Sequence, residues 1–143
     1  MLASRERRET SAALTSTLHW FETDVLTEER NYQGLTRLNA ELVQHPATRS
    51  SSRRVVLDID SSESPVHGTQ EQSAYNGHFE SVCYHPLFVF NPDGNCPAAR
   101  LRPGNVHSAE GWDDVLLPTI DRYRRRRPTV VRADAAFAIP ALY

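Results

Sequence analysis

Apolar residues in the first third of the chain recur at steps of three and four, first as Leu14, Leu18, Phe21 and Val25 and then as Tyr32, Leu35, Leu38 and Leu42. That period winds each set onto one face of a helix. The spacing predicts a first helix beginning near Thr10 or Ser11. It predicts a second capped by Thr27, with Glu28 and Glu29 set against the helix dipole in its first turn and His45-Pro46 as its stop. From Pro46 to Arg54 the run PATRSSSRR has no period and several turn formers, so it reads as an exposed linker.

The period then drops to two. Val55, Leu57 and Ile59 alternate with Val56, Asp58 and Asp60, which makes a strand with its apolar face on one side and both carboxylates on the other. Ser61 to Gly77 is polar and rich in turn formers. Ser81 to Phe90 resumes as an apolar strand-like run in which Pro86 marks a bulge or an edge. Asn91-Pro92-Asp93-Gly94-Asn95 is a turn, and the weaker extended segment from Cys96 to Arg102 completes a hairpin. A helix follows, with Ser108 as its cap, Glu110 in its first turn and Trp112, Val115, Leu116, Ile120 and Tyr123 at helical spacing; Pro118 should kink or restart it. Thr129 to Ala133 is a last strand, with Asp134 at its C-terminal end, and the residues after it look like the start of another helix.

This order, three strands, a helix and a strand ending in an acid, predicts an α/β fold. It is that of a partial ribonuclease-H-like domain (β-β-β-α-β) preceded by an N-terminal helical segment. In such a domain the first and fourth strands lie side by side, which would bring Asp60 and Asp134 together. The expected layout is a helical segment over 1–45, a linker over 46–54 and the α/β domain over 55–143.

Composition narrows the class little. With 39% hydrophobic and 24% charged residues and a net charge of −2, the chain falls in the ordinary globular range. No apolar run approaches a membrane span and the N-terminus has no apolar signal core, so the expected compartment is the cytoplasm. The two cysteines, Cys83 and Cys96, have neither a C-x-x-C partner nor histidines at zinc spacing, and read as reduced structural thiols. All sixteen basic residues are arginine, six of them between Arg122 and Arg132 with no acid among them. That stretch suits a phosphate backbone or a solvated helix end equally well.

The candidate chemistry lies in the acids. Cutting a phosphodiester requires a nucleophile to be generated and a leaving oxygen to be stabilised, and a pair of metal ions held by a few carboxylates and the substrate phosphate does both. Asp60 and Asp134, at two strand ends, suit such a site; there is no zinc signature and no glycine-rich phosphate loop. Asp58 competes with Asp60 because it shares the strand face. D-x-D pairs also bind metal in nucleotide-sugar transferases, although no nucleotide-binding half precedes this one. Asp134 taken alone reads more readily as a helix N-cap after a strand than as a metal ligand. His67, Gln70 and Glu71 suit a hydrogen-bonded loop or a contact to DNA, while His78, His85 and His107 read as structural polar residues, and Trp112 and Tyr123 as core.

The blocks LDIDSSESPVHGTQEQSAYNGHF, CYHPLFVFN, LRPGNVHSAEGW and VRADAAFA resemble the transposases with a group 1 DDE domain found in bacterial mobile elements. The resemblance implies an enzyme that cuts and joins DNA, with two aspartates and a later glutamate holding Mg2+ or Mn2+. Asp60 in LDIDSS aligns with the first aspartate and Asp134 in VRADAAF with the second, as catalytic and metal-binding residues. The glutamate has no counterpart before Tyr143, so the expectation is a transposase fragment truncated ahead of it and inactive alone, or else a non-catalytic DNA-binding or regulatory remnant. Element ends and target DNA are the implied partners, with a possible transposase oligomer, in a nucleoid-associated setting. Trp20 in TLHWFE departs from the arginine that relatives show there.

Overall fold

The computed structural model describes residues 14–47, 53–125 and 127–142. The chain resolves into two compact units, Met1–Arg37 and Leu38–Tyr143.

In the first unit α1 (Thr15–Trp20) follows Leu14, whose backbone is extended, and runs into a π-helical turn over Phe21–Val25. The helix thus begins at Thr15; the expected start near Thr10 or Ser11 lies outside the described residues. The next helix, α2, spans Glu29–Ala47. Thr27 does not cap it. Its hydroxyl donates back to the Thr23 carbonyl at 2.5 Å, while Glu28 supplies the first helical acceptor, to the N–H groups of Asn31 and Tyr32. Pro46 falls inside this helix, whose described residues run one further, to Ala47. The apolar positions Leu14, Leu18, Phe21, Tyr32, Leu35, Leu38 and Leu42 are all exposed. Most of the expected linker, 48–52, lies outside the described residues.

The second unit is a mixed α/β fold, as the periodicity implied. Its larger sheet is built from β1 (Val55–Ser61), β5 (Leu87–Phe90), β6 (Ala98–Arg100) and β7 (Thr129–Ala133) in the order β6-β5-β1-β7. β1 pairs antiparallel with β5 and parallel with β7, and β5 pairs antiparallel with β6. Leu57 and Ile59 point into the core with Leu87, Val89 and Phe137, and α3 (Trp112–Arg124) covers that face with Val115, Leu116 and Tyr123. Asp58, Asp60, Phe88 and Phe90 share the opposite face, where the two phenyl rings meet at 5.9 Å.

A second sheet of three short strands, β2 (Ser64–Pro65), β3 (Ala74–Asn76) and β4 (Ser81–Tyr84), in the order β2-β4-β3, draws two of them from the stretch expected to be turns and the third from the expected strand run. The run Ser81–Phe90 is therefore two strands in two sheets rather than one with a bulge. The chain leaves the second sheet at His85-Pro86, where proline cannot donate to a ladder. The hairpin turn forms as its sequence implies, with Asn91 Oδ1 accepting from the N–H groups of Asp93 and Asn95.

Helix α3 begins at Trp112 and not at Ser108. Gly111 at φ 65° is the residue before it, a left-handed backbone that glycine adopts without steric cost. The carbonyls of His107, Ser108 and Glu110 are taken instead by the Arg102 guanidinium, so the 107–110 segment turns rather than winds. Pro118 sits inside the helix without dividing it. Beyond β7 the chain makes two 3-10 turns, Ala135–Phe137 and Pro140–Leu142, where an α-helix was expected.

Candidate functional site

The two acids stand at the ends of strands that pair directly. β1 and β7 run in parallel register from Val55 against Thr129 to Ile59 against Ala133. Continuing that register by one residue sets Asp60 against Asp134, on strands about 4.8 Å apart. Asp60 is exposed and its Oδ1 accepts the Ser61 N–H at 2.8 Å. Asp134 is exposed as well, and its Oδ1 accepts the Ala136 N–H at 3.0 Å, capping the first 3-10 turn. The cap and the strand-end acid are thus one residue. Among the described residues no hydrogen-bond partner falls to Oδ2 of either carboxylate.

Asp58 is differently engaged. Its two carboxylate oxygens receive Nε and Nη2 of Arg132 at 2.5 and 2.7 Å, a bidentate fork across the β1–β7 pair. The same contact holds the Arg132 guanidinium above its ordinary range, first through the hydrogen bond and then through the charge. An acid occupied this way is poorly placed to take a metal. The competition between the two strand carboxylates thereby leans toward Asp60.

Two exposed carboxylates with spare oxygens suit a hard cation such as Mg2+, which keeps several waters and takes one or two protein carboxylates beside substrate phosphate. Among the described residues no group of three His, Cys, Asp or Glu side chains is arranged to hold a metal.

Sequence reasoning missed a buried polar frame beside this site. Arg102, at 4% exposure, donates Nε to the His85 carbonyl at 2.8 Å and receives the His85 N–H on its own carbonyl at 2.9 Å. Its Nη1 spans the carbonyls of His107, Ser108 and Glu110. Burial lowers the pKa of this guanidinium, yet as an arginine it stays charged. Asn76 donates to the Gly104 carbonyl at 2.5 Å while its Oδ1 accepts from the N–H groups of His78 and Phe79. Gly104 fits because a Cβ there would lie 2.5 Å from the Cys83 carbonyl oxygen. An arginine in a Pro-Gly turn carries no burial signal in sequence. His67, Gln70 and Glu71 lie in an exposed loop, where the Glu71 carbonyl accepts the Tyr84 hydroxyl and the Gln70 carbonyl the Ser73 hydroxyl. Cys83 and Cys96 are both free, and burial pushes the Cys96 thiol up.

The second unit is thus a mixed α/β fold in which one acid follows the last paired residue on each of two parallel strands. More narrowly, the transposase DDE domain group 1 family model matches residues 1–143, so the chain belongs to that family of DNA-acting proteins. No curated protein and no solved structure matches it. No helix among the described residues is long and apolar enough to cross a membrane.

Proposed function

We propose that this chain is part of a DNA transposase in which Asp60 and Asp134 are two of the metal-binding carboxylates for DNA cleavage and strand transfer. The observation that carries the reading is the parallel register of β1 and β7, which ends at Ile59 and Ala133 and leaves one acid beyond each. The order β6-β5-β1-β7, with an antiparallel meander on one side of β1 and a parallel strand on the other, supports a partial ribonuclease-H-like domain over 55–143. Residues 1–45 would be its helical lead-in and 46–54 the linker. Divalent metal, Mg2+ or Mn2+, would supply the activated water and stabilise the leaving oxygen. The chain's own part is to hold the two carboxylates on rigid strand ends, with Arg132 locked to Asp58 so that the neighbouring acid is not drawn away.

With two carboxylates, this polypeptide of 143 residues is expected to bind divalent metal weakly and to carry out no strand transfer. The test is a titration with Mn2+ followed by thermal shift and by paramagnetic broadening, on the wild type and on Asp60→Asn, Asp134→Asn and Asp58→Asn. The first two variants should lose the response and the third should keep it. A response indifferent to positions 60 and 134 would reject the assignment. Cleavage and joining of element ends by the isolated chain would reject the expected inactivity.

The arginine-rich end of α3, with Arg122, Arg124 and Arg125, favours a second reading, a DNA-binding remnant without chemistry. A gel shift on element ends that weakens steeply with salt, with no metal response at the acids, would select it.

A further inference from the structure

Beside the strand tips lies a cleft of about 640 Å³ that the reading above does not use. Five rings line it: Tyr75, His78, Phe79, His85 and His107. Ala136, whose N–H is held by Asp134, forms part of the same wall, so the cleft opens two residues from a proposed metal ligand.

Its walls are fixed by the buried frame. Asn76 ties the 75–79 turn to Gly104, and Arg102 gathers the 107–110 carbonyls. His85, only 3% exposed, has its Nδ1 on the Val106 carbonyl at 3.2 Å, and Phe79 stands edge-on to its ring at 5.4 Å. A carbonyl can only accept, so Nδ1 carries the proton and Nε2 is left as an acceptor, with no hydrogen-bond partner among the described residues. His107 shows the reverse pattern. Its Nδ1 accepts the Ala109 N–H, which leaves the proton on Nε2 as a donor. Among the rings that line the cleft, His85 thus carries an acceptor nitrogen and His107 a donor.

No carboxylate and no guanidinium lines it among the described residues, and its histidines form no metal-binding group there. A fixed-charge site for a phosphate or a cation is therefore not what has been built. The complementary ligand is planar, uncharged and edged with both donors and acceptors. We propose that the cleft takes an unpaired base of a DNA strand, stacked among the rings of Tyr75, His78 and Phe79 and donating an N–H to Nε2 of His85. The base must be unpaired, because the faces of a paired base are covered by its neighbours and its pairing edge is occupied. A ring as deep as His85 is reached only by a base swung out of the stack. The proposal rests on the reading of the chain as a DNA-acting protein and adds to it a specific contact beyond the phosphates.

The test uses the full chain and three fluorescent probes about ten nucleotides long, in fluorescence anisotropy at low salt. One is a single strand with bases, one an abasic strand with the same phosphates, and one a duplex. The strand with bases should bind about tenfold more tightly than the abasic strand, the gain expected from stacking one base. Tyr75→Ala should remove most of that preference, as should His85→Asn, which keeps the donor to Val106 but lacks the second ring nitrogen. Both should leave abasic binding unchanged. If His85→Asn does not fold, Tyr75→Ala and His78→Ala, at exposed positions, carry the same comparison. Equal binding of the strand with bases and the abasic strand, or a preference that survives these substitutions, overturns the proposal while leaving the DNA reading intact. Failure of all three probes to bind overturns both.

Discussion

Asp60 and Asp134 stand exposed at the ends of β1 and β7, each tied down by a single backbone N–H, whereas Asn76, His85 and Arg102 lie buried around the β4–β5 crossover with most of their polar atoms bonded to backbone, Nη2 of Arg102 excepted among the described residues. The strand acids are positioned by the backbone that carries them, so their side chains contribute little to the fold and stay available to a ligand. The crossover residues do the opposite. They replace backbone pairing where the chain passes from one sheet to the other and would otherwise leave carbonyls without donors. Polar residues of similar type thus divide by what they are spent on, and substitution should separate the two groups.

The largest separation is expected at Arg102. Arg102→Ala would take the side-chain donor from the carbonyls of His85, Ser108 and Glu110, the first of them buried, while the His107 carbonyl would keep the Glu110 N–H. Leaving buried acceptors unpaired and dismantling a buried network costs about 3–4 kcal/mol, a large share of a small domain's stability. Urea unfolding of the variant should show it as a displaced midpoint. A cost under about 1 kcal/mol would mean that water replaces the guanidinium and that the frame is not structural.

Acid should probe the same frame more gently through His85. Its burial lowers its pKa from the ordinary 6.5, and the charges of Arg102, His107 and His78 act in the same direction, against a raising bond to the Val106 carbonyl. A histidine held neutral in the folded chain gives stability that is present above pH 6.5 and is lost as the pH falls from there through the lowered folded value. Melting curves between pH 8 and pH 5 should therefore decline on the acid side. In His85→Asn, which cannot titrate, the decline should be shallower by up to one proton. Parallel curves for the two proteins would place the acid sensitivity elsewhere.

The contrast also explains what could be read from sequence. The alternation through Val55, Leu57 and Ile59 fixes the face of β1, the Asn91–Asn95 turn fixes its hairpin, and the spacing from Trp112 to Tyr123 fixes the buried side of α3. Those are periodic or turn signals that local sequence carries. β2 and β3, two and three residues long, are too short to show a period, so the second sheet was hidden among turn formers. The start of α3 is hidden for a related reason. Ser108 has the side chain of a cap, but a buried arginine six residues earlier in the chain takes its carbonyl, and Gly111 supplies the left-handed turn. Asp60 and Asp134 could be located at strand ends from sequence alone. The donors that Arg102 and Asn76 provide could not, because their partners are distant carbonyls.

The smallest expected effects fall on the acids, and their smallness is informative. Asp134→Ala removes the acceptor for the Ala136 N–H, and a lost cap costs about 1 kcal/mol, which Asp134→Asn should largely restore because asparagine caps as well. Asp60→Asn, at an exposed position with one local bond, should stay within about 0.5 kcal/mol of the wild type. If Asp60→Asn and Asp134→Asn abolish the Mn2+ response with stability nearly unchanged, these carboxylates are held ready for a ligand and not for the fold. A cost above about 1 kcal/mol for Asp60→Asn would place that acid with the buried frame, and the difference between the two regions would fail at its central residue.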